Sequence, residues 1–243
     1  MHFITADTET GGFYPHLHAL LSIAAVCSWD HTQTFEAYIT LESQPGKTVT
    51  EEAAKKNGYS AEAWALLKAR PLNEVMPEFL GWLEARKKER RTPIVCHHLA
   101  FDKPFLAEAA RVCGIELPHR NDWRCSQVKF GELMDLDSIE SGSSSLDRLK
   151  ELSGYSSARH EQHNALQDAI ITAHGYDWLL KKARTAESTV KHLYDLACQD
   201  RRRLENLIIK TADYINANSS LDATGEIARL ITEEADAIRK EGR

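Results

Sequence analysis

Long hydrophobic segments are absent from this 243-residue sequence, which contains no apolar run of about 18 residues or more. The first residues lead directly into a strand-like segment, without the basic and apolar segments of an export signal. We therefore expect a soluble, cytoplasmic protein that does not insert into a membrane.

Cysteine is also scarce. The five cysteines are odd in number, lie far apart and form no Cys-x-x-Cys pair. These features argue against a disulfide framework and against a zinc ribbon. We expect reduced thiols, most of them in the protein core.

An excess of positive charge is missing as well, because 30 lysines and arginines stand against 36 aspartates and glutamates, for a formal net charge of −6. General DNA-coating proteins are typically basic. The composition still allows an enzyme that binds a few phosphates through metal ions and a local basic strip. Basic runs occur at Arg86–Arg91 and between Lys181 and Arg203, and such runs are more often solvated helix faces than phosphate-binding tracks.

The apolar pattern predicts an α/β fold. Strands are predicted at Phe3–Ala6, Leu20–Ser28, Thr32–Leu41 and Pro93–Cys96. Helices are predicted at Thr50–Asn57, Ser60–Arg70, Leu72–Arg86, Lys103–Cys113, Ser126–Asp135, Ser145–Ser153 and Asn164–Lys182. Strands followed by interleaved strands and helices indicate a mixed sheet flanked by helices.

The C-terminal part of the chain has a different pattern. No strand is predicted after Arg184, and two helical stretches, Glu187–Ala217 and Asp222–Lys240, carry apolar residues at helical spacing. We therefore expect a catalytic domain over residues 1–183 and a helical extension over residues 184–243. The extension is expected to pack on the domain or on another subunit.

Four carboxylates and one histidine are the candidates for catalysis. If Phe3 to Glu9 is a strand, Asp7 and Glu9 are two residues apart and point to the same face, where both can reach one metal site. Asp102 follows a buried strand and precedes Lys103-Pro104. Taken alone, Asp102 is more typical of a helix N-cap with a proline in the first turn than of a metal ligand.

His163 and Asp168 are five residues apart, which corresponds to about 140° around a helix. Both side chains therefore cannot face one point from the middle of a helix. We expect His163 in the loop before the helix and Asp168 in the second turn. Clustered carboxylates repel one another, and magnesium or manganese would remove this repulsion because hard divalent ions prefer oxygen ligands.

Three motifs contain these residues in order along the chain. They are Asp7-Thr8-Glu9-Thr10-Gly11-Gly12-Phe13, His98-Leu99-Ala100-Phe101-Asp102 and His163-Asn164-Ala165-Leu166-Gln167-Asp168. The three motifs resemble those of the DEDDh 3′→5′ exonucleases, a DnaQ-like family that includes ribonuclease T and the proofreading epsilon subunit of bacterial DNA polymerase III. The resemblance extends from about Met1 to Lys182. Many members carry asparagine where this chain has His98, so hydrogen bonding beside Asp102 is expected to differ.

The resemblance implies a ribonuclease H-like fold and a two-metal mechanism that releases nucleoside 5′-monophosphates from a 3′ end. His163 would be the general base. Two Mg²⁺ or Mn²⁺ ions would be bound by Asp7, Glu9, Asp102 and Asp168. Substrate binding would involve Thr8, Thr10, Phe13 and Phe101. The two phenylalanines occupy positions where related enzymes stack the terminal bases. Both phenylalanines are also compatible with ordinary core packing.

The expected partner is single-stranded nucleic acid, with DNA preferred to RNA. A polymerase or another protein is the expected partner of residues 184–243. An exoribonuclease or oligoribonuclease is the nearest alternative, since one motif can hold both sugars and only the 2′-hydroxyl separates them. A non-catalytic binding subunit that acts through the helical tail is the alternative from a different class. The presence of every expected metal ligand favours the enzyme.

Overall fold

The computed structural model describes residues 1–88, 92–118, 122–136, 138–156 and 163–185, and also residues 187, 188, 191 and 198. The chain divides into two units, residues 1–183 and 184–243. The two predicted C-terminal helices lie almost entirely outside the described residues. Among the helices that the structure describes, none is both long and apolar enough to cross a membrane.

The described part of the first unit contains a mixed sheet of five strands. The strands are β1 (Ile4–Thr10), β2 (Leu20–Cys27), β3 (Asp30–Tyr38), β4 (Ile94–Cys96) and β5 (Trp123–Cys125). Their order in the sheet is β3-β2-β1-β4-β5. Strands β1, β2 and β3 are antiparallel, whereas β4 runs parallel to β1, and β5 runs parallel to β4. The predicted mixed α/β sheet is thereby confirmed.

Helices cover both faces of this sheet. The described helices are α1 (Glu51–Asn57), α2 (Ala61–Leu66), α3 (Leu72–Ala85), α4 (Leu99–Val112), α5 (Ser126–Asp135), α6 (Leu146–Ser153) and α7 (residues 165–185). One buried cluster joins the strands to α3 and α4, and a second joins them to α5, α6 and α7.

Side chains along the segment that forms β1 alternate between the two buried clusters. Ile4 and Ala6 belong to the cluster of α3 and α4. Phe3 instead contacts Tyr176 of α7, with ring centroids 5.1 Å apart, and the Thr5 hydroxyl donates to the carbonyl of Ala169 in α7 at 2.8 Å. Since side chains alternate along a strand, the odd-numbered face of β1 is the face that packs on α7.

The structure corrects two strand predictions. Strand β1 continues to Thr10 instead of ending at Ala6, because pairing with β2 extends along the polar residues that follow. Strand β5 was not predicted at all. It has three residues, of which only Trp123 is buried, so it is too short to show an alternating pattern in the sequence.

Two helix predictions also had wrong ends. Helix α4 begins at Leu99 and not near Lys103, with His98 at its N-cap, so Asp102 lies within the first turn and is not the cap. The prediction placed Pro104 in the first turn, where proline is most common, but it lies farther inside this helix. Helix α2 ends before Arg70 because Lys68 adopts a left-handed φ of 57°.

Close packing between α6 and α7 gives a stability prediction. A Cβ atom built on Gly175 would lie 2.4 Å from Cγ of the fully buried Leu149. Replacing a helical glycine by alanine gains about 1 kcal/mol, whereas overpacking a core costs about 1–3 kcal/mol. We expect Gly175→Ala to lower the free energy of unfolding by about 1 kcal/mol, measured by urea denaturation.

The matched control is Gly81→Ala in α3. Apart from its chain neighbours and the backbone of α3 itself, nothing lies within 4 Å of a Cβ built there, so the helix gain of up to about 1 kcal/mol should appear without a packing cost. Stabilisation of equal size by both substitutions would contradict the close contact at Gly175.

Candidate active site

An open cleft of about 410 Å³ lies where β1 and β4 end. All of the residues predicted to bind metal, act in catalysis or bind substrate line this cleft. The structure therefore brings together side chains from three separate motifs, although their chemical roles stay predictions. The predicted residues in the lining are Asp7, Thr8, Glu9, Thr10, Phe13, Phe101, Asp102, His163 and Asp168.

Among the described residues, Glu9, His163 and Asp168 form a group in the cleft that could hold a metal ion. One oxygen or nitrogen atom from each lies within 4.8 Å of the others, and Nδ1 of His163 is 3.5 Å from Oδ2 of Asp168. Glu9 lies on the odd-numbered face of β1, which packs on α7, and Asp168 lies in the N-terminal part of that helix. The fold of β1 against α7 thus explains why this group forms.

Local hydrogen bonds place His163 outside the helix. The side chain of Asn164 accepts from the main-chain N–H of Gln167 at 2.9 Å, which caps the start of α7. The N–H of His163 donates to the carbonyl of Lys56, in the last turn of α1, at 3.1 Å. His163 accordingly lies in the preceding loop and Asp168 at the start of the second turn, which are the places expected from their spacing.

Asp102 enters the cleft from α4 and contacts the other face of β1. The Thr8 hydroxyl donates to Oδ1 of Asp102 at 2.8 Å, and the Asp102 side chain is buried. Burial raises the pKa of Asp102 to about 7, the nearby charge of Asp168 acts in the same direction, and the hydrogen bonds from Thr8 oppose it. The carboxyl group therefore stands in surroundings that disfavour its charge.

The loop after β1 is fixed by polar contacts with its neighbours. The Thr10 hydroxyl donates to the carbonyl of Gly12 at 2.8 Å, and the Asn57 side chain donates to the carbonyl of Thr10 at 2.9 Å. A Cβ atom on Gly11 would lie 2.5 Å from the carbonyl oxygen of Thr48. These contacts hold the end of β1 against α1.

The two phenylalanines differ in exposure. Phe13 is 69% exposed, so it is not a core residue, while Phe101 is half-buried and packs partly on the core. Their ring centroids are 6.3 Å apart in an edge-to-face arrangement. Phe101 also stacks on His98, with centroids 6.1 Å apart and nearly parallel planes. Both rings line the cleft and present aromatic surface to it.

Several cleft residues were not identified from the sequence. Helix α1 contributes Glu52, Lys56 and Asn57, and no motif marks these positions as part of a site. Ser145 was predicted only as a helix start, which agrees with its role as the N-cap of α6. The other lining residues that were not predicted to belong to the site are Gly12, Thr50, Ala53, His97, His98, Gln127, Leu146 and Asp147.

The donor set of the cleft suits hard divalent cations. Glu9, Asp102 and Asp168 are each at least nine-tenths buried, and buried carboxylates need compensating positive charge. Among the described residues that line the cleft, Lys56 is the one lysine or arginine. Carboxylate oxygens with an imidazole are ligands that Mg²⁺ and Mn²⁺ accept, so the residues present fit such ions.

Sequence comparison identifies a family and two curated relatives. Residues 2–180 match the family described as the 3′-5′ exoribonuclease Rv2179c-like domain. The chain is 30% identical over 198 residues to the PolC-type DNA polymerase III of Thermotoga petrophila, a match that covers 79% of this chain and 13% of the relative. The corresponding protein of Thermotoga maritima is 31% identical over 172 residues, which cover 70% of this chain and 11% of the relative. The chain thus spans a small part of the curated relatives that it matches.

Solved structures share the fold. The nuclease domain of 3′hExo, a DEDDh family member bound to rAMP, is 14% identical with a TM-score of 0.60, and the match covers 74% of this chain and 92% of that chain. Exonuclease I of E. coli in complex with a dT13 oligonucleotide is 15% identical with a TM-score of 0.59, over 80% of this chain and 43% of that chain. The predicted ribonuclease H-like architecture is confirmed by this likeness.

Proposed function

Because the chain belongs to the 3′-5′ exoribonuclease Rv2179c-like domain family, we propose that it removes nucleoside 5′-monophosphates from the 3′ end of single-stranded nucleic acid, using two divalent ions and a histidine base. As a 3′-5′ exonuclease it is a hydrolase. The observation that carries the detailed proposal is the convergence of Glu9, His163 and Asp168 within 4.8 Å, in a cleft that Asp7 and Asp102 also line.

Four carboxylates are the proposed metal ligands. Mg²⁺ or Mn²⁺ ions bound there would neutralise the carboxylates, polarise the phosphodiester and lower the pKa of a bound water. The burial of Asp102 supports this assignment, since the cleft disfavours its charge in the absence of a cation. The proposed ligands are Asp7, Glu9, Asp102 and Asp168.

His163 is the proposed general base. Its Nδ1 atom lies 3.5 Å from Asp168, and its main chain is bonded to the carbonyl of Lys56. If Nδ1 carries its proton toward the carboxylate, Nε2 is the nitrogen that accepts a proton from the attacking water. The contact with Asp168 thus supports both the orientation and the tautomer that this role requires.

Substrate bases are proposed to stack on Phe13 and Phe101. Stacking on aromatic side chains tolerates any base, as an exonuclease requires. The substrate-binding roles of Thr8 and Thr10 stay predictions, because their hydroxyls bond to Asp102 and Gly12.

RNA is the substrate that the family description favours. The predicted preference for DNA is the second candidate, supported by the match to PolC-type DNA polymerases. Matched oligonucleotides that differ only in the 2′-hydroxyl would separate the two.

Residues 1–183 are proposed to carry the exonuclease and residues 184–243 to bind a polymerase or another protein. The division of the chain at residue 184 and the end of the family match at residue 180 support this arrangement. Deleting the second unit and measuring nuclease rate and complex formation separately would test it.

The activity itself can be tested with 5′-labelled single-stranded RNA and DNA and the purified full chain in Mg²⁺ or Mn²⁺. We expect stepwise shortening from the 3′ end, lost on addition of a chelator and reduced more than about 100-fold by Asp7→Ala, because losing a proposed ligand should cost more than losing a residue that only supports one. Equal rates for the wild type and Asp7→Ala, or no shortening by the wild type, would refute the proposal.

A further inference from the structure

Exposed apolar side chains extend from the cleft along the loop that follows β1. Phe13 is 69% exposed, Tyr14 is 57% exposed and Leu17 is 50% exposed. Phe13 is part of the cleft lining, whereas Tyr14 is adjacent in the chain but lies outside that lining. An aromatic ring in water beside a cleft is available to a ligand that reaches beyond it.

The ring of Tyr14 is held in a fixed position. It stacks on the imidazole of His18, with centroids 5.8 Å apart and an interplanar angle of 26°. The main-chain N–H of Tyr14 donates to Nδ1 of His18 at 3.0 Å, and the Tyr14 carbonyl accepts from the N–H groups of Leu17 and His18 at 2.9 and 2.8 Å. The tyrosine and the histidine thus form one compact turn.

This turn is attached directly to the cleft wall. A Cβ atom on Gly12, which lines the cleft, would lie 2.7 Å from Cγ of His18, so the imidazole packs against the glycine backbone. The His18 ring therefore contacts both Gly12, which lines the cleft, and the Tyr14 ring. The ring of His16 also lies beside Tyr14, with centroids 6.1 Å apart and an interplanar angle of 51°.

A buried lysine fixes the same loop from its other side. Nζ of Lys47 donates to the carbonyl of Pro15 at 2.6 Å and to Oε1 of Glu108, in α4, at 2.9 Å. The Lys47 side chain is only 11% exposed. A ring carried by a loop anchored in this way loses little conformational freedom when a ligand stacks on it.

The charge of the cleft favours stacking over phosphate binding. Six carboxylates line it, those of Asp7, Glu9, Glu52, Asp102, Asp147 and Asp168, and Lys56 is the one lysine or arginine among the described lining residues. Metal ions would neutralise the proposed ligands, but Glu52 and Asp147 would still repel a phosphate backbone. Base stacking does not depend on this charge.

We propose that Tyr14 is a stacking platform for a nucleobase upstream of the terminal bases held at Phe13 and Phe101, and that this contact makes the enzyme prefer longer single strands. This inference rests on the proposed function. The ligand is any single-stranded oligonucleotide long enough to leave the cleft, of either sugar.

The test is the first cleavage of labelled single strands of two, four and eight nucleotides. For Tyr14→Ala we expect KM to rise about 5- to 30-fold with the eight-mer, to stay within about twofold with the dinucleotide, and kcat to be unchanged. Tyr14→Phe should behave as the wild type because the ring is kept. Leu66→Ala, which removes another exposed apolar side chain outside the cleft lining, is the matched control and should also behave as the wild type.

Binding measured by fluorescence anisotropy with Ca²⁺ in place of Mg²⁺ separates this inference from the proposed function. Suppose that Tyr14→Ala weakens binding of the eight-mer and that the wild type releases no mononucleotide in Mg²⁺. This result would refute the proposed function and support the stacking platform. An equal loss at every length, or no loss with the eight-mer, would overturn the platform while leaving the function intact. Failure of the wild type both to bind and to cleave would overturn both.

Discussion

Replacing His163 by alanine is expected to lower kcat about 10²- to 10⁴-fold, the usual contribution of a general base. The backbone of the loop should stay in place, because the bond to the carbonyl of Lys56 comes from the main chain of His163. KM should therefore change much less than kcat. Steady-state kinetics on a labelled single strand in Mg²⁺ would measure the two separately.

His98→Ala is the matched control for this substitution. His98 also lines the cleft, but its ring stacks on Phe101 instead of approaching Asp168. We expect it to lower kcat less than about tenfold and to act mainly on KM. Added imidazole should restore part of the activity of His163→Ala and none of that of Asp7→Ala. Equal losses from His163→Ala and His98→Ala would rule out a special role for His163.

Asp102→Asn is expected to stabilise the metal-free protein at pH 8 while impairing its activity. Burial raises the pKa of Asp102 from 3.8 to about 7, so the folded state holds this proton more tightly than the unfolded state. Stability contributed by this group is therefore present below pH 3.8 and is lost as the pH rises through about 7. The loss is at most about 4 kcal/mol at pH 8, and asparagine avoids it.

Urea denaturation in the presence of a chelator would measure the free energy of unfolding of the wild type and of Asp102→Asn. We expect the difference between them to be small near pH 4 and large at pH 8. Asp30→Asn is the control of opposite sign, since hydrogen bonds from Thr32 and Gln33 lower the pKa of Asp30. Replacing the Asp30 carboxylate should therefore lower the free energy of unfolding at high pH. If Asp102→Asn is no more stable than the wild type at pH 8, the buried Asp102 carboxylate does not destabilise the metal-free protein.

Magnesium should stabilise the wild type more than Asp102→Asn. A ligand that binds only the folded state stabilises it by mass action, and binding to Asp102 requires the ionised carboxylate. We therefore expect Mg²⁺ to raise the unfolding temperature of the wild type more than that of Asp102→Asn. The variant should also cleave more than about 100-fold more slowly, since it lacks a proposed ligand.

Much of this site could be predicted because its signals are local. The alternation of a strand places Asp7 and Glu9 on one face, and the five-residue spacing places His163 before the helix that carries Asp168. The structure agrees with these placements, and the helix cap at Asn164 gives the reason for the second.

Other features could not be predicted because they depend on distant residues. The sequence around Asp102 indicated a helix cap, but the structure puts it inside α4 with its carboxylate bonded to Thr8, 94 residues away. Strand β5 exists because β4 offers it a parallel partner, and its three residues carry no pattern of their own. The hydrogen bond from His163 to the carbonyl of Lys56 joins a motif residue to a helix that carries no motif.

The sequence by itself determined which chemical groups are present and, through periods of two and 3.6 residues, which neighbours share a face. Those periods act within single elements. Only the tertiary structure decided how the elements meet: β1 lies between α4 and α7, so Thr8 contacts Asp102 on one face while Glu9 meets His163 and Asp168 on the other. Burial, and with it the raised pKa of Asp102, follows from that packing, because desolvation depends on everything around a group and not on its neighbours in the chain.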